Sequence, residues 1–392
     1  MSGLRKSLPW LILALIAGLI WFFWLRPETN VSSPTESDPK PAKSSQASAS
    51  PDETGTDHSR NAIKSPLARL IASSLTSFRN SANVDESRLI LKNLREGILA
   101  ADPGEAAAAI AGFLKTGDDT PTRLPFTVGD GGMMNDVSTL RLALLDLLPS
   151  LDPELALAVS REIMDQKTSP DEYALALRNL AWNDLNGDLH GEVIDRLNQM
   201  IQSGDWLARP SAGFLEAIDA AVFVKGQQSF EILVSLHQVA GETGDLNLGR
   251  ASFVALDRVV LGNPDVLIQA FEGDPGLSGM DSSLRASLIS RMDLTDAKQR
   301  EVVTRYLSDP ALSEKELDYF TGVFPNGNFI HGNWLMSGMD ETQSIDQRKQ
   351  SDLQVIAEID QLRAAGGGER MIQALDRIKA RLVRQTQPPA KE

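Results

Sequence analysis

Residues Leu8 to Leu25 read LPWLILALIAGLIWFFWL, eighteen positions without a charge, and no other stretch restricts the chain so much. At ~1.5 Å rise per residue a helix of that length spans roughly 27 Å, close to the hydrocarbon thickness of a bilayer. Eleven of the eighteen are Leu, Ile or Phe, and each favours insertion by about 0.3–0.6 kcal/mol. Pro9 falls in the first turn, where its missing N–H costs little, and Trp10, Trp21 and Trp24 lie toward the two ends, where rings settle at headgroup level. A cleaved secretory signal, the rival reading, needs a shorter apolar core and small residues at the cleavage site. Here the run closes on Trp21-Phe22-Phe23-Trp24-Leu25 and Arg26-Pro27, with nothing of the A-x-A kind, so an uncleaved anchor is expected. Arg5 and Lys6 precede it and Arg26 follows, which places the amino terminus in the cytoplasm. The expectation is a single-pass protein of the cell membrane whose folded domain stands on the extracytoplasmic side, periplasmic or external.

From Pro27 to Lys64 there is no aromatic residue, and Val31 and Ile63 are the large apolar side chains. Ser, Pro, Thr and Asp dominate, so the segment cannot bury enough apolar surface to offset ordering entropy and reads as a disordered linker. Asn30-Val31-Ser32 matches a glycosylation acceptor, a triplet that chance supplies readily in a Ser-rich spacer. The formal net charge is −15; residues 1–26 carry +3, 27–65 carry −2 and 369–392 carry +3, which leaves −19 on residues 66–368. A domain that acidic repels nucleic-acid phosphate, so no nucleic-acid partner is expected. The chain has no cysteine, which excludes disulfides, thiolate zinc sites and thiol catalysis.

Beyond residue 65 the signals are helical. Ser65-Pro66, Asp102-Pro103, Asp152-Pro153, Ser169-Pro170, Asn263-Pro264 and Asp309-Pro310 each set a capping side chain before a Pro suited to the first helical position. Apolar residues follow at helical spacing, as in Leu155, Val159 and Ile163, or Val193, Leu197 and Ile201. No run of period-two alternation stands out. The expected fold class is all-α, with about fifteen helices, preceded by one transmembrane helix and the disordered tether. Residues 1–26 form the signal anchor, 27–65 the Pro/Ser-rich linker, 66–343 a helical repeat domain, and 344–392 C-terminal amphipathic helices and a tail. Gly366-Gly367-Gly368 separates those last two helices, and Arg370, Arg377, Lys379, Arg381 and Arg384 make the final one basic.

The stretch from Asn135 to Ser203, with LALLDLLPSLDPELALAVSREIM and SPDEYALALRNLAW, resembles HEAT-like helical repeats, whose helix pairs recur at ~40–47 residues. The resemblance implies a right-handed helical solenoid that binds proteins or peptides; an irregular helical array is the alternative. It implies no residue-level role.

Two long connections interrupt the helices, Thr116 to Asn135 and Phe320 to Met339. Loops near twenty residues are uncommon in compact domains and tend to be functional. The second gathers Phe320, Phe324, Phe329, His331 and Trp334 in a chain otherwise poor in aromatics, and the first holds Phe126, Met133 and Met134. They are candidate binding lips at the edge of a groove; the structural alternative is that such a loop caps an open end of the array.

No phosphate-binding Gly loop, dinucleotide fingerprint, H-E-x-x-H helix or nucleophile elbow is present, and no cofactor is expected. Asp184, Asn186, Asp188, Glu192 and Asp195 occupy positions 1, 3, 5, 9 and 12 of a twelve-residue loop, the spacing by which EF-hand-like loops present oxygens to calcium. Leu189 stands where the sharp turn needs Gly, and Asp195 where a bidentate Glu is usual; the alternative is an interhelical turn whose Asp and Asn satisfy helix ends. The function expected from these readings is a membrane-anchored extracytoplasmic scaffold that docks a protein or peptide. The alternative is an extracytoplasmic hydrolase acting on envelope polymer through Asp and Glu residues of the groove.

Overall fold

Capping chemistry sets most of the helix starts. A computed structural model of the chain describes residues 65–273, 280–327, 332–338 and 343–386. It opens with α1 (Pro66–Asn80), α2 (Val84–Leu99) and α3 (Pro103–Thr116), capped by the side chains of Ser65, Asn83 and Asp102. α4 (Leu140–Leu151), α5 (Pro153–Gln166) and α6 (Pro170–Trp182) follow, capped by Thr139, Asp152 and Ser169. Then come α7 (His190–Ile201) and three short helices, α8 (Gly204–Ala208), α9 (Ala212–Ala217) and α10 (Asp219–Val224). α11 (Gln227–Thr243), α12 (Leu246–Gly262), α13 (Asp265–Gly273), α14 (Ser282–Ile289), α15 (Ala297–Ser308) and α16 (Glu314–Val323) continue the array, and α17 (Ile345–Ala365) and α18 (Glu369–Thr386) end it. One expected start fails: Asp309 closes α15, and α16 begins from Ser313, whose hydroxyl accepts the Glu316 N–H.

Two rows of helices pack back to back. One row runs α4, α6, α9–α10, α12, α14, α16 and α18, each against the next; α3, α5, α7, α11, α13 and α15 lie behind. The apolar stripes close between the rows: Ile110, Leu144, Ala156, Leu177, Leu197, Leu233, Leu256, Leu267 and Leu288 are essentially inaccessible.

The front row is tied by buried ion pairs. Arg141 of α4 holds Glu172 of α6 through two hydrogen bonds of 2.8 and 3.0 Å. Asp146 of α4 meets Arg178 of α6 at 2.6 Å, Asp219 of α10 meets Arg258 of α12 at 2.7 Å, and Asp257 of α12 meets Arg291 beyond α14 at 2.5 Å. Arg285 of α14 meets Glu316 of α16 at 2.6 Å. Partners lie 31, 32, 39, 34 and 31 residues apart in the order Arg141–Glu172, Asp146–Arg178, Asp219–Arg258, Asp257–Arg291, Arg285–Glu316. Partners within a rung are therefore closer in sequence than the ~40–47 residues over which HEAT-like helix pairs recur.

The fold class needs one correction. The expected transmembrane helix and most of the tether fall on residues 1–64, outside the described residues, and among the described residues no helix is long and apolar enough to cross a membrane. The chain described is a helical array without that element. The all-helical class otherwise holds among the described residues, with one short antiparallel pairing of β1 (Thr127–Val128) and β2 (Met134–Asp136) inside the first long connection. Strands of two and three residues are too short to show alternation in sequence.

Removing one partner of a buried rung strands the other charge, so Asp146→Ala is expected to lower stability by about 3–5 kcal/mol in denaturant unfolding. Asp165→Ala, which breaks the Arg196–Asp165 pair whose carboxylate side chain is 65% exposed, is expected to cost at most about 1 kcal/mol. Equal losses at the two positions would show that burial is not what makes the rung matter.

Candidate functional site

The two long connections, remote from each other in sequence, meet beside the front row of helices.

 In space the Asn333 side-chain amide reaches the Val128 carbonyl at 3.5 Å. Gly132, at φ +81°, lies against the Leu335 carbonyl and the Trp182 ring, and a Cβ there would come within 2.5 Å of that oxygen. Only glycine suits both the backbone angle and the approach.

The first connection is held from below by the Asp146–Arg178 rung. Arg178 is wholly buried and also donates to the Gly132 carbonyl at 2.9 Å, while its guanidinium stacks 4.1 Å from the Trp182 ring. The Met134 N–H donates to Asp146 at 3.1 Å, and Arg95 donates to the Met134 and Asn135 carbonyls.

The second connection is held by the Asp219–Arg258 rung in the same way. Asp219 accepts from the backbone N–H groups of Met336 and Ser337 at 2.7 and 2.9 Å, from the Ser337 hydroxyl and from Arg258. Arg258 stacks 4.0 Å from the Trp334 ring. Beside this anchor opens a groove of about 360 Å³, with Leu215, Ile218, Val222 and Val254 among its walls and Glu216, Asn247, Arg250 and Trp334 as its polar lining. The Trp334 indole N–H is buried and has no hydrogen-bond partner among the described residues. Burial, and then the charge of Asp219, push the Glu216 carboxyl up to about 7.

Among the expected site residues that are described, only Trp334 lines this groove. Phe320 and Phe324 are fully buried, Phe320 edge-on to Tyr306 at 5.1 Å and stacked on Phe324 at 5.0 Å; they are core residues and not a binding lip. Phe329 and His331 lie outside the described residues. Met134 is buried, Phe126 and Met133 are half-buried, and none of the three lines this groove.

The calcium reading is corrected as well. Asp184 accepts the Leu189 N–H at 3.0 Å, and Glu192 pairs with Arg161 at 2.6 Å. Asn186, Asp188 and Asp195 are exposed, and among the described residues no group of three or more His, Asp or Glu could hold a metal ion. The segment is a turn between α6 and α7, closed by Asp184 and by Gly187 at φ +83°.

Glu216, Asp219, Arg250 and Arg258 escaped the sequence reading, although a signal exists. Asp146 in LALLDLLP, Arg178 in YALALRNLAW, Asp219 in EAIDAAVFV and Arg258 in FVALDRVVLG are charges set within apolar helical runs. A charge at a core position needs a buried partner, so each such residue advertises a rung.

No protein-family model matches the chain, and no curated protein matches it. A solved structure described as "Computational Design of Self-Assembling Cyclic Protein Homooligomers" aligns over 82% of this chain and 92% of its own at 12% identity, with a TM-score of 0.14. Agreement that weak carries no argument about fold or assembly.

Because folding raises the Glu216 pKa above its ordinary 4.5, the folded state holds the proton more tightly than the unfolded chain. That contribution is complete below about pH 4.5 and is lost as pH rises through about 7. Glu216→Gln is therefore expected to match the wild type at pH 4 and to exceed it by about 1–2 kcal/mol at pH 8, a figure discounted because the groove is open to solvent. Thermal unfolding across that range checks it; a difference independent of pH would exclude a buried proton at Glu216.

Proposed function

We propose that this chain is a docking protein, a helical array that holds a segment of a partner polypeptide in the groove between α9–α10, α12 and residues 332–338. The observation that carries the reading is the buried, unpartnered Trp334 N–H beside apolar walls. A buried donor left without an acceptor costs about 1–3 kcal/mol, which an occupant bringing a carbonyl recovers on binding. The volume falls within the range of ligand-holding clefts. Helical repeats of the HEAT kind, which the sequence resembles, present such surfaces to proteins and peptides, and that likeness supports the reading without assigning residues.

The hydrolase alternative needs two working carboxylates in one cleft. Asp219 has four donors on its two oxygens, so it positions the 332–338 segment and has no lone pair to spare for a substrate or water. Glu216 is left without that partner, and docking is the better supported reading.

Panning random peptides, displayed with either end free, against the full chain tests the proposal. Enriched peptides are expected to lose about tenfold or more in affinity on Trp334→Ala, a loss of about 1.4 kcal/mol. Peptides that bind Trp334→Ala and wild type alike would place docking elsewhere, and a failure to enrich any sequence would overturn it.

A further inference from the structure

Apart from Glu216 and the floor carboxylate of Asp219, the polar side chains lining the groove can donate. Arg250 is exposed on α12 and makes no ion pair among the described residues, the Trp334 N–H has no acceptor, and Asn247 contributes an amide. Asp219, the acceptor at the floor, is filled by its four hydrogen bonds. The backbone N–H groups of Asn247 and Leu248, at the start of α12, are taken by Asp245, so the free donors are side chains. An occupant must therefore bring acceptors and negative charge next to an apolar group. An internal peptide segment brings an N–H donor with each carbonyl, and the groove has no open charged acceptor for it beyond Glu216. A chain end brings two acceptor oxygens, a full charge that suits a guanidinium fork, and an adjoining side chain.

Resting on the docking reading, we infer that the groove captures the C-terminal carboxylate of a partner polypeptide, with Arg250 on the carboxylate, the Trp334 N–H on a neighbouring carbonyl and the last side chain, an apolar one, between Leu215, Ile218, Val222 and Val254.

The test uses the full chain and a pool of N-acetylated tripeptides ending in Leu, Val, Ile or Phe, each as the free acid and as the C-terminal amide. The free acid is expected to bind about tenfold or more tighter than the amide. Arg250→Gln, at an exposed position that leaves the fold intact, is expected to bring the acid down to the amide. Trp334→Phe is expected to weaken both forms together and preserve their ratio. Acid and amide binding alike would overturn the carboxylate inference while leaving docking in place, as would an acid preference unchanged by Arg250→Gln. No binding by any free acid also overturns it, and docking then stands or falls on the panned peptides. Displacement of the tripeptide acid by an equal concentration of inorganic phosphate would show an anion site indifferent to the apolar walls, and would overturn it too.

Discussion

A charge at the centre of a helical row is tolerated only when a partner meets it, and the Asp146–Arg178 pair is where this structure depends on that rule most. Arg178 has no solvent contact, and burial lowers its pKa against the opposing pull of Asp146. An uncompensated charge there would cost several kcal/mol. The same two residues also bond Gly132 and Met134, so the pair that joins α4 to α6 also fixes the first long connection.

Repetition of this device along the front row sets more than stability. Apolar stripes slide past one another at little cost, whereas an arginine and a carboxylate on neighbouring helices meet in one register. Arg141–Glu172, Asp219–Arg258, Asp257–Arg291 and Arg285–Glu316 each fix one step of the row. The Asp219–Arg258 rung also carries the 332–338 segment, and with it the Trp334 ring that lines the groove. The candidate site is thus built on the device that aligns the helices.

Some of this was legible in the chain. Asp102, Asp152 and Ser169 cap helices because a short oxygen side chain before Pro satisfies an otherwise orphaned N–H, a local effect that needs no distant partner. Asp309-Pro310 carries the same letters and ends a helix instead, because Ser313, four residues on, offers the cap that α16 uses. The aromatic cluster near residue 320 was visible as a concentration, but composition does not separate a lip from a core: Phe320 packs on Tyr306 and Phe324 on Phe320, and Trp334 reaches the groove. The oxygen-rich turn after α6 shows the same limit, since one Asp184 oxygen is taken by the Leu189 N–H and both Glu192 oxygens by Arg161.

The sequence by itself determined helical class, several helix starts and the two long connections, because propensity, capping and periodicity act within one or two turns of chain. Tertiary structure alone decided which charges pair, that the two connections touch, and that Glu216, Arg250 and Trp334 share one groove. Those outcomes join residues tens to hundreds of positions apart, such as Asp219 with Arg258 and Val128 with Asn333. They follow from the requirement that every buried charge and polar group find a partner, which is met only once the rows have packed.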